Sequence, residues 1–173
     1  MKKFLVIAAI ALMATLTGQN VLAQSFKFGH INSDELIKAM PEYDTATVKL
    51  EKVRKDLVNA LELMQVELNN KADAYNKEIK NLTDLVKQTK EQELQDMQKR
   101  IQDFQTNAQT QFEDQRSALF QPVMAKADKA IKEVGKEGSF TYIFDVAKGQ
   151  LVYFDETKST NIMALVKTKL GLK

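Results

Sequence analysis

The sequence has 173 residues, 44% hydrophobic and 28% charged, with six Gly, two Pro, no Cys, one His and a formal net charge of +2. That length fits one domain with a long appendage, and the near-neutral charge argues against a polybasic nucleic-acid binder. No Cys excludes disulfides, thiolate metal sites, thiol nucleophiles and Cys-linked lipid, one His leaves little for metal or acid–base work, and so few Gly and Pro argue against a turn-rich all-β fold.

The chain starts with Met1-Lys2-Lys3, followed by an apolar run over residues 4–16 that only Thr15 interrupts. Val21-Leu22-Ala23 has the small-residue end of a processing site. Residues 1–23 therefore read as a secretory signal peptide, cleaved after Ala23. The run is short for a membrane span. Residues 24–173 carry 23 basic and 23 acidic side chains, so the whole +2 belongs to Lys2 and Lys3. The basic start points to a bacterial envelope.

Residues 25–31, Ser-Phe-Lys-Phe-Gly-His-Ile, read as a first strand. Ser33 fits an N-cap, with Asp34 and Glu35 in the first turn of a short helix that Pro41 ends. Residues 43–138 then contain no Gly before Gly135 and one Pro, Pro122. Apolar or small residues recur at Leu50, Val53, Leu57, Leu61, Met64, Leu68, Ala72, Tyr75, Ile79, Leu82 and Val86. A second series runs through Leu94, Met97, Ile101, Phe104, Ala108, Phe112, Gln115, Leu119, Val123, Ala127, Ala130 and Val134. Both average about 3.6 residues per step, the period of a nearly straight helix with one apolar stripe. Two such stripes predict an antiparallel helical hairpin with arms of about 65–70 Å. The tip is placed near residues 87–89, because residues 87–92 lack apolar side chains and Thr89 with Gln92 fits a capping box.

Residues 140–146 form a β-type run, residues 147–150 a turn with Gly149 at positive φ, and residues 151–154 a return strand, predicting a terminal β-hairpin. Residues 159–170 read as an amphipathic helix stopped by Gly171. The predicted fold is α+β, mostly α. Residues 24–42 and 139–173 build a small β body, and the arm of residues 43–138 is inserted between its first strand and its terminal hairpin and helix. Three short strands bury little on their own, and residues 140–146 are apolar on both faces. Self-association through this body is the economical solution; a monomer with its small helices covering the sheet is the other. The oligomer-body candidates are Phe26, Phe28, Ile31, Ile143, Phe144, Val146, Leu151, Val152 and Tyr153.

This order of parts resembles the Skp, or OmpH-like, family of periplasmic chaperones. The matching residues are Phe28-Gly29-His30-Ile31-Asn32-Ser33, Met40-Pro41-Glu42-Tyr43, the Gly-poor hairpin, and Tyr142-Ile143-Phe144-Asp145 with Leu151-Val152-Tyr153. The resemblance implies a homotrimer in the periplasm of a Gram-negative bacterium, whose β body holds three helical arms around a cavity for unfolded outer-membrane proteins. Well-known relatives are strongly basic. Here residues 43–138 carry 16 basic and 17 acidic side chains. Contact with lipopolysaccharide or a membrane surface is left open.

Val48, Leu63 and Val66 fall 160–220° from the first stripe and are candidates for client contact; isolated surface apolars are the plainer reading. Phe120, Met124 and Ile131 widen the second stripe near its base and read as packing against the body. Pro122 should kink its helix, as a hinge or as a fixed bend. Ten Gln between residues 88 and 121 offer uncharged amides to an extended chain, or simply solvate the helix. Asp145, Asp155 and Glu156 read as turn and strand-end carboxylates rather than an acid–base pair, and His30 as a packed or rim residue rather than a ligand. No enzyme activity and no cofactor are expected. The functional expectation is an ATP-independent holdase for unfolded outer-membrane proteins. A structural coiled-coil adaptor or spacer of the cell envelope is the alternative.

Overall fold

The computed structural model describes residues 26–147, 149 and 151–172. The expected leader and part of the expected 147–150 turn lie outside them. The chain runs β1 (Phe28–Ile31), α1 (Ser33–Lys38), α2 (Pro41–Glu78), a 3-10 turn (Ile79–Asn81), α3 (Asp84–Glu137), β2 (Tyr142–Asp145), a second 3-10 turn (Glu156–Lys158), β3 (Ser159–Asn161) and α4 (Met163–Leu170). A long helical arm thus stands between a first strand and a terminal strand plus helix.

Sequence chemistry sets these boundaries. Asn32, not Ser33, caps α1, its side chain accepting from the Glu35 N–H. Pro41 closes off α1 and opens α2 from its first turn, where its missing N–H costs nothing. α2 has 38 residues and α3 has 54, about 57 and 81 Å at 1.5 Å per residue. α3 ends at Gly138, where an added Cβ would meet the Phe140 ring at 2.5 Å. Ser139 instead takes the positive φ of 52°. Gly171 ends α4 in the left-handed conformation, as its position predicted.

Both apolar series face inward along the arm. Met97 and Ile101 are buried, and Leu57, Leu61, Phe104, Ala108 and Phe112 are half-buried, as suits a two-helix layer open to water on both flanks. The tip lies earlier than predicted, at residues 79–83 rather than 87–89. Thr83 is the N-cap residue of α3, and its carbonyl takes the Lys87 N–H at 2.9 Å. Leu82 continued the apolar spacing across the turn and concealed it.

Close to the tip the two helices are joined by a polar contact. Tyr75 donates to Glu91 Oε1 at 2.5 Å. That bond, with burial and the Glu91 charge, holds the phenol protonated and raises its pKa above the ordinary 10.0. The bond contributes fully below the usual tyrosine range and is lost as pH rises through the raised value. In an ultraviolet titration of the chain's four tyrosines, Tyr75→Phe should remove the step at highest pH. An unchanged upper step would contradict the bond.

The sheet has the order β2-β1-β3, with both neighbours parallel to β1. Phe28 pairs with Tyr142 and with Ser159. Parallel pairing follows from the connections, since helices lie between β1 and each partner. The predicted antiparallel hairpin is not formed. Residues 151–154 pair with no strand, and residues 159–161, predicted as helix, supply the third strand. Two local turns redirect the chain. Asp145 Oδ1 accepts the Ala147 N–H at 3.1 Å, bending the chain just after β2. Asp155 then accepts the Thr157 N–H at 3.0 Å and its hydroxyl at 2.6 Å, leading into β3.

The core lies under one face of this sheet. Ile31, Leu36, Met40, Ile162 and Val166 are fully buried and pack with Val123, Ala127, Ala130 and Val134 of α3. Gly29 permits this closeness: a Cβ there would stand 3.1–3.2 Å from Phe140, Ile143 and Ile162. Ser33 ties α1 to the end of β2, donating from its N–H to Asp145 Oδ1 at 3.1 Å and from its hydroxyl to Oδ2 at 2.5 Å. Lys169 of α4 pairs with Glu133 at 3.5 Å and with Glu137, which together raise its pKa. α3 runs through Pro122 without interruption. The residues around it, Leu119, Phe120 and Val123, all belong to or pack on the body core.

Candidate functional site

A parallel strand sends alternate side chains to opposite faces. In β1 the buried Gly29 and Ile31 point to the core, which leaves Phe28 and His30 on the other face. The register places Tyr142 beside Phe28 and Phe144 beside His30. The outer face is therefore aromatic. Phe28 lies 6.2 Å from both Tyr142 and Phe144, centroid to centroid, and 6.4 Å from Phe26. Tyr142 and Phe144 are 6.2 Å apart. His30 packs at 4.8 Å on Phe154, with its Nδ1 2.9 Å from Ser159 Oγ. Among the described residues these rings are only partly covered: Phe26 is 62% and Tyr142 61% exposed, while Phe28 and Phe144 are half-buried.

The nine oligomer-body candidates separate into four groups. Phe26, Phe28 and Phe144 belong to the outer aromatic face. Ile31 is buried in the protomer's own core, and Ile143 packs against it. Val146 is half-buried past β2, where its N–H bonds the Ile31 carbonyl at 2.9 Å. Leu151, Val152 and Tyr153 lie in the unpaired stretch, with Val152 100% and Tyr153 82% exposed. The oligomer-body candidates leave out Tyr142, His30 and Phe154, although His30 reads as packed. Alternation through Phe28-Gly29-His30 and Tyr142-Ile143-Phe144 could have found the first two. Phe154 reaches the face through a loop, and no period announces that.

On the arm, Val48, Leu63 and Val66 are exposed on α2. All ten Gln of α3 are exposed too. At its base, Phe120 meets Tyr43 edge-on at 5.4 Å, and Ile131 packs on the core, as predicted. Met124 differs. It is half-exposed and lines two adjoining hollows of about 490 and 430 Å³ between α1 and α3, which also share Asp34 and Ile37.

Electrostatically the arm is balanced. Its ion pairs are mainly exposed i,i+3 and i,i+4 contacts such as Arg54–Glu51 and Lys99–Asp103, which contribute little to stability. Lys126 holds Glu42 across the base and lowers its pKa. Among the described residues, no group of three or more His, Asp or Glu could hold a metal ion, and no helix is long and apolar enough to cross a membrane.

The fold has a counterpart among solved structures. A crystal structure from Caulobacter crescentus, described as a candidate outer membrane chaperone (OmpH-like), superposes with a TM-score of 0.72 at 13% identity. The match covers 84% of this chain and 83% of that one. No curated protein matches the chain significantly. The family described as Outer membrane protein (OmpH-like) matches residues 27–170, the whole span from β1 to the end of α4. The chain therefore belongs to the OmpH-like outer membrane protein family.

Proposed function

We propose that this protein is an ATP-independent holdase of the bacterial periplasm that keeps unfolded outer-membrane proteins from aggregating. The observation that carries this reading is the arm itself. It is long, neutral and Gln-rich, with exposed apolar side chains on its flanks and a body at its foot. Residues 1–23 export the chain, and residues 24–42 with 139–173 form the body. Three protomers associate through the aromatic sheet face, so that three arms of residues 43–138 surround one client. Pro122, where the arm meets the body core, sets or adjusts the direction in which the arm leaves. Binding an unfolded chain lowers its free concentration, which slows aggregation. Weak contacts repeated on three arms give avidity without sequence specificity.

The test is light scattering of a urea-denatured outer-membrane β-barrel protein diluted into buffer. One trimer per client should suppress the scattering. An envelope adaptor would leave the scattering unchanged and retain a folded partner instead.

Val48, Leu63 and Val66 supply sparse apolar contact with the client. Leu63→Ser with Val66→Ser should therefore raise the amount of protein needed for half-protection by about threefold, small because each contact is isolated. Unchanged protection by a folded double variant would remove these residues from the contact surface.

A further inference from the structure

One stretch of the arm seam is open. Between Phe104 and Phe112 the seam of α3 carries only the methyl group of Ala108. Opposite it stand Leu57 and Leu61 of α2, with Val58 half-exposed on the flank. Their separation leaves an apolar groove of about 240 Å³. It lies about halfway along α2, some 24–30 Å from Pro41 at 1.5 Å per residue.

The groove is smaller than the ~300 Å³ at which small-molecule sites begin. It has room for one or two side chains. Its rim states what should surround them. Gln105 and Gln109, one turn apart on α3, are exposed at one edge. Each amide offers both a donor and an acceptor. Arg54 stands at the other edge, paired with Glu51 through contacts of 2.9 and 2.5 Å, so that the pair carries no net charge. An apolar floor with neutral amide edges disfavours charged segments. It fits an extended segment whose aliphatic or aromatic side chain enters the groove while its free backbone N–H and C=O groups meet the glutamines.

We infer that this groove, formed where Ala108 leaves the seam open beside Leu57, Val58 and Leu61, takes one apolar side chain of an extended, uncharged segment of unfolded polypeptide. The inference rests on the holdase reading and names its foothold on the arm. It also gives a physical basis for choosing unfolded chains. In a closed β-barrel the backbone groups of each strand are already paired with neighbours, so they are not available to Gln105 and Gln109. In an unfolded strand segment they are free, and every second side chain lies on one side.

The probe is a capped seven-residue peptide of alternating Phe and Ser with a fluorophore, measured by anisotropy against the full chain. Ala108→Leu fills the groove while keeping the seam apolar. It should weaken peptide binding about tenfold, the change expected for losing one buried side chain. Val58→Ser, on an exposed position where folding is safe, should weaken it about threefold. A peptide with Asp in place of Ser should bind more weakly than the neutral one. Wild-type affinity in folded Ala108→Leu and Val58→Ser overturns the groove. So does equal binding of the neutral and acidic peptides. Failure of the wild-type protein to suppress aggregation while it still binds the neutral peptide overturns the holdase reading and leaves the groove standing.

Discussion

Phe28→Ser combined with Phe144→Ser is expected to convert the proposed trimer to monomers at micromolar concentration, read as mass by sedimentation or light scattering. Both rings lie on the sheet face away from the core, within 6.2 Å of each other and of Tyr142. A contiguous aromatic patch, half-buried at Phe28 and Phe144 and exposed at Phe26 and Tyr142, marks an association surface. Aromatic pairs at 4.5–7 Å already gain from ring geometry, and a second protomer would add the burial that a single one cannot provide. Central aromatic residues of interfaces cost about 2 kcal/mol or more when truncated, a factor near 30 in affinity. In a trimer that loss recurs at three equivalent contacts. The protomer should keep its fold, because the buried cluster of Ile31, Leu36, Ile162 and Val166 lies on the opposite face. Helical circular dichroism should therefore be unchanged while the mass falls threefold. A wild-type protein that is already monomeric, or a double variant of wild-type mass, would exclude this face as the interface.

The arm was readable because its signal is long. Two stripes of about a dozen residues each define a period well, and most of their members face inward, from Leu50 to Leu82 and from Leu94 to Val134. Exceptions mark the limits. Val86 is exposed because it lies past the turn, and Gln115 because a polar side chain at a seam position is pushed out to water. The tip was misplaced because it contains neither Gly nor Pro. Ile79 and Leu82 kept the spacing of a helix while the backbone was already turning. Only the cross-helix partners reveal the centre: Tyr75 with Glu91 and Glu78 with Lys90 are both nearly symmetric about Thr83 and Asp84.

The terminal hairpin misled for a different reason. Residues 151–154 have strong β propensity, but propensity does not choose a partner. Both edges of β1 are taken by distant segments, Tyr142–Asp145 and Ser159–Asn161. The second of these has a polar sequence with no periodic signal. It forms because Ile162, directly after it, is fully buried and its N–H bonds the His30 carbonyl at 3.0 Å. The aromatic outer face was half visible for the same reason. Individual rings could be read from the chain, but the register that gathers them depends on pairings over more than a hundred residues.

Leu36→Ala is expected to be among the most destabilising single truncations in the body. Leu36 is completely buried, and its short helix is held at one end by the Ser33–Asp145 contacts and at the other by Met40. It belongs to one buried cluster with Ile31 of β1, Ile162 just after β3, Ala127, Ala130 and Val134 of α3, and Val166 of α4. Removing such a side chain costs about 2–5 kcal/mol, against a total stability of about 5–15 kcal/mol for a domain. Collapse into the gap is restricted, because the α3 members of the cluster are small or β-branched residues on one long helix. At about 2–4 °C per kcal/mol for a chain of this size, the thermal midpoint should fall by about 4–20 °C. Leu85→Ala is the matched comparison: Leu85 is 75% exposed near the tip, and its truncation should leave the midpoint within about 2 °C. The two variants also separate the body from the arm. Leu36 lies under the sheet that presents Phe28 and Phe144, so Leu36→Ala should make assembly sensitive to temperature well below the melting of the arm helices. Parallel thermal scans by circular dichroism and by light-scattering mass would show this. Equal midpoints for the two variants would mean that the body core does not limit the stability of the whole protein.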